Sequence, residues 1–312
     1  MVKTISVINF KGGVGKTTLS FHLGVYLSKS ARVLLVDVDH QSSLSIVTLD
    51  ADRWETAVKN GQTANKIFES FCKKNAQMPG SEIIYKEPLR TSFSHPYPNL
   101  DIVAAQFELD DTEIEMASTT VGGPTVSEWE KRTLIAQWLD VIDVNSHYDY
   151  VVFDCPPATK LVSQNALAAS GYFVVPVIPD EMSTRGVTHF RQLVQTKVDA
   201  KLEFLRMAAG ITDSEVPRNY CPVTKLAGIA PFMAKIAGNA ESGYTNIHTQ
   251  QLNALRRQWG ADVLNTVVKS LTGVPESMNA GWPVWYNEGG NVSRKVTKMM
   301  TDVCEEIRGR IQ

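Results

Sequence analysis

Residues 11–18 read Lys-Gly-Gly-Val-Gly-Lys-Thr-Thr, between a short apolar run at 4–10 and a segment at 17–28 in which Leu19, Leu23 and Leu27 recur every four positions. Strand, glycine-rich loop and helix in that order are the setting of a phosphate-binding loop. Glycine lets the backbone close around phosphate oxygens with its N–H groups turned inward, and the helix N-terminus adds a partial positive charge. In such a loop Lys16 is placed for the β- and γ-phosphates, Thr17 for Mg²⁺ and Thr18 for an inner phosphate, while Gly12, Gly13, Val14 and Gly15 supply the cradle. The ordinary pattern has glycine five positions before Gly15; here that position is Phe10, and a second lysine, Lys11, opens the loop.

Outward from the loop, residues 32–38 carry Val-Leu-Leu-Val, the aliphatic pattern of a parallel strand covered on both faces, and close a first βαβ unit. Further strands are expected at 100–104, 150–153, 172–178, 226–233 and 262–268, with helices at 127–144, 185–208 and 247–259. Trp129, Leu134, Trp138 and Leu139 give the first of these helices an apolar face. Strands alternating with helices over the whole length predict an α/β fold, a doubly wound and mostly parallel sheet in one domain, 1–312. Two stretches depart from that rhythm and read as insertions: 50–99, with scattered charges and a helix at 65–74, and 187–222, ending in a polar linker.

Two strands end in acids. Val-Leu-Leu-Val-Asp-Val-Asp-His-Gln at 33–41 places Asp37 and Asp39 at a strand C-terminus, where ligands bind in such sheets, and a two-residue period sends both to one side. Residues 148–157 form an apolar strand closed by Asp154, placed to accept from the Mg²⁺ shell, with Pro156 and Pro157 stiffening the loop that follows. A hydrophobic run ending in aspartate is common; the loop at 11–18 gives this one its meaning. His147 and His189 lack metal-ligand spacing and read as solvent or packing residues.

The form K-G-G-x-G-K-T-T resembles the deviant Walker A loop of the ParA/MinD family of ATPases. The acids at 37–41 resemble that family's D-x-D-P-Q with His40 in place of proline, and 228–233 resembles the family's strand near the nucleotide base. Residues 174–179 with Arg185 and Gly186 resemble the strand and turn after its Walker B acid, and Glu276, Gly281, Pro283 and Val284 match the spacing of its E-A-P-x-x-G-x-P-[IV] segment. The resemblance, strongest to ParA-type partition ATPases, implies a P-loop NTPase fold and ATP with Mg²⁺ as cofactors. It also implies a homodimer in which Lys11 reaches the partner's nucleotide. By the same resemblance Asp39 positions the attacking water with Lys16 also catalytic, Thr17, Asp37, Asp39 and Asp154 surround the metal directly or through water, and Phe232 and Met233 lie beside the base. Members of this kind bind DNA without sequence preference and let go when a ParB-like or adaptor protein stimulates slow hydrolysis, which implies a cytoplasmic protein associated with the nucleoid when ATP-bound.

Composition adds less. Lys and Arg total 31 against 33 for Asp and Glu, so the net charge of −2 offers no global attraction to DNA or to an anionic membrane. DNA contact would need a local patch, and the candidates are Arg256, Arg257, Lys269, Arg294, Lys295 and Lys298; such charges also serve as plain solvated surface. The arginines that the family often carries just before the matched Glu276 are missing from 269–275, which predicts a DNA contact that is relocated or weak. Cys72, Cys155, Cys221 and Cys304 form no C-x-x-C pair, which speaks against zinc, an iron–sulfur cluster or a disulfide framework and for a reducing compartment. No secretory leader or membrane span is legible. A MinD-like reading draws on the apolar stripe Val292, Val296, Met299, Met300, Val303, Ile307 and Ile311, but the neighbouring Asp302, Glu305 and Glu306 oppose anionic lipid, and the stripe is expected to pack on its own domain. A P-loop metabolic enzyme would need a second constellation of acid, base or substrate clamp, and the sequence shows none.

Overall fold

Runs of β-branched and aliphatic residues become seven strands of one sheet, in the order β3-β4-β2-β5-β1-β6-β7. The computed structural model describes residues 1–89, 96–157, 160–180, 187–188, 190–236, 243–286 and 293–311. Its first half comprises β1 (Lys3–Val7), α1 (Lys16–Ser28), β2 (Val33–Asp37), α2 (Ser43–Leu49), α3 (Ala51–Lys59), α4 (Asn65–Cys72), β3 (Tyr85–Lys86), β4 (Leu100–Val103), α5 (Leu109–Ser118), α6 (Pro124–Val141) and α7 (Val144–His147). Then come β5 (Tyr150–Asp154), α8 (Leu161–Ala168), β6 (Tyr172–Val177), a π-helical turn (Val194–Asp199), α9 (Ala200–Ala208), β7 (Lys225–Pro231), α10 (Asn246–Trp259), α11 (Gly273–Ala280) and α12 (Arg294–Arg310).

The strand pairs are parallel except β3 with β4. Two-residue alternation divides the side chains between two cores. Ile5, Val7, Val33, Leu35 and Val152 face α1 and α12, whereas Leu34, Val36, Val151 and Phe153 face α6 and α8. Val7 and Asp37 each stand in register with Asp154, so the glycine loop and both acidic strand ends leave the sheet at one edge, side by side. Ligands of doubly wound sheets bind there.

Several boundaries differ from the sequence reading. The helix expected at 127–144 starts at Pro124, whose fixed φ suits a first helical turn, and stops at Val141, because Asp143 takes a left-handed φ of 46° before α7 begins. Trp129, Leu134, Trp138 and Leu139 are buried as expected. The stretch 50–99 holds α3, α4 and the antiparallel edge strand β3. Residues 262–268 are not a strand: the backbone meets β7 only at an isolated bridge, Ile229 to Val263, and by N–H bonds from Leu264 and Val268. Between these, Asn265 and Thr266 N–H turn away and donate to Glu306 (2.8 and 3.0 Å). Arg185, Gly186 and His189, with 181–184, lie outside the described residues, and the helical region expected there is seen from 190 through the π-helical turn into α9. On α12 the stripe from Val296 to Ile311 is buried against α1 and β7, and Val292 lies outside the described residues. No helix among the described residues is long and apolar enough to cross a membrane.

Candidate nucleotide site

The loop between β1 and α1 takes its shape from two glycines in the left-handed region, Gly13 (φ 70°) and Gly15 (φ 91°). A Cβ at Gly15 would stand 2.4 Å from the ring of Phe232, so loop and ring are in contact there. Phe232 is therefore a support beneath the cradle, 1% exposed, and not a wall of the cavity; its neighbour Met233, at φ 55°, does line it. Val14 is buried inside the loop.

The cavity above the loop measures about 570 Å³, in the range of small-molecule sites. Gly12, Gly13, Gly15, Lys16, Thr17, Thr18 and Asp39 line it, as the motif requires. So do Gln41 and Pro157, from the two acidic segments already read, and residues the sequence did not single out: Ser43 and Val47 from α2, and Pro275, Met278 and Asn279 from α11. These last five reach the cavity only through the fold. A groove of about 650 Å³ between α6 and residues 209–218 is larger but has none of the 11–18 loop or the two acidic strand ends in its lining.

Lys16 is nearly buried, its ammonium 3.4 Å from the carbonyl of Lys11. Burial lowers its pKa, opposed by the charges of Asp154 and Asp39. Asp154 accepts from Ser20 Oγ (2.9 Å) through Oδ1, while its Oδ2 is buried without a partner. Burial raises the pKa of this carboxyl, against hydrogen bonding from Thr17 and Ser20. An orphaned carboxylate oxygen beside a threonine hydroxyl is what a hydrated Mg²⁺ would satisfy, so the residues fit that ion. Among the described residues no three His, Cys, Asp or Glu are grouped to hold a metal ion.

Asp37, expected near the metal, has both carboxylate oxygens engaged by protein donors. Its Oδ2 accepts Ser45 N (2.9 Å) and Ser45 Oγ (2.7 Å), and its Oδ1 accepts Asp39 N (3.0 Å). Both oxygens fasten α2 and the acidic turn to the sheet; burial and the nearby Asp154 charge raise its pKa. The strand ends at Asp37, so the two-residue period no longer governs Asp39, which turns into the cavity and accepts from Gln41 N (3.0 Å). His40 is half-exposed, its Nδ1 3.6 Å from Asp39 Oδ1.

His22 was overlooked, because a lone histidine among helical apolar residues carries no signal. It is wholly buried: Nε2 accepts from Val284 N–H (3.3 Å), which leaves the proton on Nδ1 to donate to Thr18 O (2.8 Å). The first turns of α1 are thereby tied to the segment after α11.

The basic candidates scatter. Lys298 pairs with Asp302 (2.6 Å) and Lys269 lies over the Tyr244 ring (4.9 Å). Arg294 and Lys295 are exposed in the first turn of α12. Arg256 and Arg257 share the outer side of α10 with Gln250 and Asn253, around a shallow groove of about 530 Å³, on a helix without a single acid.

Similarity to known proteins agrees with this geometry. A family model described as an AAA domain matches residues 2–206. The chain is 31% identical over 196 residues to the sporulation initiation inhibitor protein Soj of Bacillus subtilis, an alignment covering 62% of this chain and 66% of that one. The apo structure of McdA from Cyanothece superposes with a TM-score of 0.69 at 17% identity over the full length of both chains, and MinD of Pyrococcus horikoshii with Mg-ADP at 0.63 and 17%, over 98% and 96%. Fold and loop define a P-loop protein of the deviant Walker A class. Within that class the chain belongs to the ParA/MinD family of ATPases. It spans no more than 66% of the length of the first curated relatives it matches.

Proposed function

We propose that the chain is an ATP-driven partition switch: it binds ATP with Mg²⁺, closes into a homodimer around two nucleotides, binds DNA without sequence preference, and reopens when hydrolysis is stimulated by a partner protein. The observation that carries this reading is the meeting of Lys16, Thr17 and Asp39 on one cavity, with the buried, orphaned Asp154 oxygen on the carboxylate that Thr17 and Ser20 hydrogen-bond. Lys16, held by a mere carbonyl, exchanges that contact for phosphate oxygens. Thr17 and Asp154 hold the metal, which offsets phosphate charge when bound. Asp39, fixed through Asp37 and Gln41, orients the attacking water, and Lys11 stabilises charge across the dimer.

For DNA, α10 is the better-supported surface. Arg256 and Arg257 stand together without an acid on their helix, whereas Lys298 spends its charge on Asp302. The cargo follows from what the partner protein binds, plasmid or chromosomal DNA in this reading. The test is binding to random-sequence duplex DNA with ATP, with ADP and without nucleotide, over a salt series. Salt-sensitive binding confined to ATP supports the reading. Absence of binding in every state removes the DNA arm and moves the function to positioning of protein cargo.

A further inference from the structure

Lys11 is already engaged within its own chain. Its ammonium lies 2.7 Å from Asp180 Oδ2, at the turn that follows β6 and is closed by Asp180 N–H to Ile178 O (2.7 Å). The backbone of Lys11 is held by other means. Its N–H donates to Asn9 Oδ1 (3.2 Å), Asn9 Nδ2 donates to Pro176 O (2.7 Å), and Phe10 packs edge-on to Phe190 at 5.0 Å. Asn9 and Phe10 thus fix the main chain where the loop starts, and Asp180 constrains the side chain.

We propose that Asp180 is a positioning residue that draws Lys11 back onto its own protomer and so sets the protein concentration at which two nucleotide-loaded protomers close. The inference rests on the reading above in which Lys11 reaches the partner's nucleotide. To do so the ammonium must trade a carboxylate for phosphate oxygens, an exchange a flexible lysine arm can make. The side chains are 40% and 31% exposed, so water screens the pair and keeps it weak enough to open. A pair of this exposure biases an equilibrium by about 1.4- to 5-fold. Two such pairs open for each dimer formed, so about threefold per protomer multiplies to about tenfold in the dimer dissociation constant.

Sedimentation of the full chain with Mg²⁺ and a non-hydrolysable ATP analogue tests this in wild type, Asp180→Asn and Asp180→Glu, alongside acetylation footprinting of Lys11 by mass spectrometry. Asp180→Asn is expected to dimerise at about tenfold lower concentration, still only with nucleotide, and to acetylate about threefold faster at Lys11 without nucleotide. Asp180→Glu, which keeps the charge, restores wild-type behaviour; a merely structural role would give no such rescue. Unchanged or weaker dimerisation of Asp180→Asn, with wild-type melting, overturns the inference and leaves the dimer reading intact. Should Asp180→Asn melt early, the wild-type footprint decides: Lys11 acetylation that does not change between apo monomer and nucleotide dimer overturns it. A wild type that stays monomeric at every concentration overturns the dimer reading and this inference together.

Discussion

Burial of His22 makes stability depend on pH in a way that can be measured. The imidazole is fully enclosed, and desolvation lowers its pKa from 6.5 to about 4, opposed by its bond to the Thr18 carbonyl. In the unfolded chain it titrates near its ordinary value. The folded state therefore binds the proton less well, and its stability is complete above pH 6.5 and falls as pH drops toward 4. A displacement of about 2.5 units at 1.36 kcal/mol each corresponds to about 3 kcal/mol lost across that window. Asp37 and Asp154, whose pKa values are raised, act in the opposite sense, so the measurement must isolate His22. Urea unfolding of wild type and His22→Gln at intervals from pH 7.5 to pH 4 does so, since the carboxylates cancel in the difference. The stability difference should shift by about 3 kcal/mol against wild type as pH falls. A difference independent of pH would refute a buried neutral His22.

Other substitutions probe the cradle and its surroundings. Lys16→Ala removes the cation aimed at the phosphates and should weaken ATP binding by about 10- to 100-fold in calorimetry, with the melting profile retained. Gly15→Ala forces a Cβ into the left-handed region and against the Phe232 ring, and should cost about 1–3 kcal/mol by urea unfolding, besides lowering nucleotide affinity. Phe232→Ala, which empties the space beneath the loop, should cost about 3–5 kcal/mol in the same assay. Changing Arg256 and Arg257 together to alanine should lower DNA affinity across sequences and reduce the salt slope in fluorescence anisotropy by about two, without altering ATP affinity.

What could be read from the sequence was local. The loop at 11–18 and the two aspartate-ended strands are contiguous signals, in which residue type, spacing and neighbouring periodicity agree, and the structure brings them to one sheet edge. What could not be read depends on contacts between distant segments. Pro275, Met278 and Asn279 reach the cavity only because α11 folds back over the start of α1, where Val284 meets His22 across 262 positions. The edge strand β3 is two residues long and exists because β4 pairs with it. Residues 262–268 have strand composition, yet Glu306 on α12 claims two of their N–H groups, which no local pattern foretells. Asp37 and Phe232 also have structural work that only the fold reveals: one fastens α2 through Ser45 and the other packs under Gly15.

The central claim is a nucleotide-gated dimer built on Lys11. Light scattering coupled to size exclusion, run with ATP and Mg²⁺, with ADP and without nucleotide on wild type, Lys11→Ala and Asp39→Ala, tests it most directly. The account predicts a wild-type dimer with ATP alone, a Lys11→Ala variant that binds nucleotide and stays monomeric, and an Asp39→Ala dimer that persists as ATP is no longer turned over. A Lys11→Ala variant that dimerises like wild type, or a dimer indifferent to nucleotide, would contradict it.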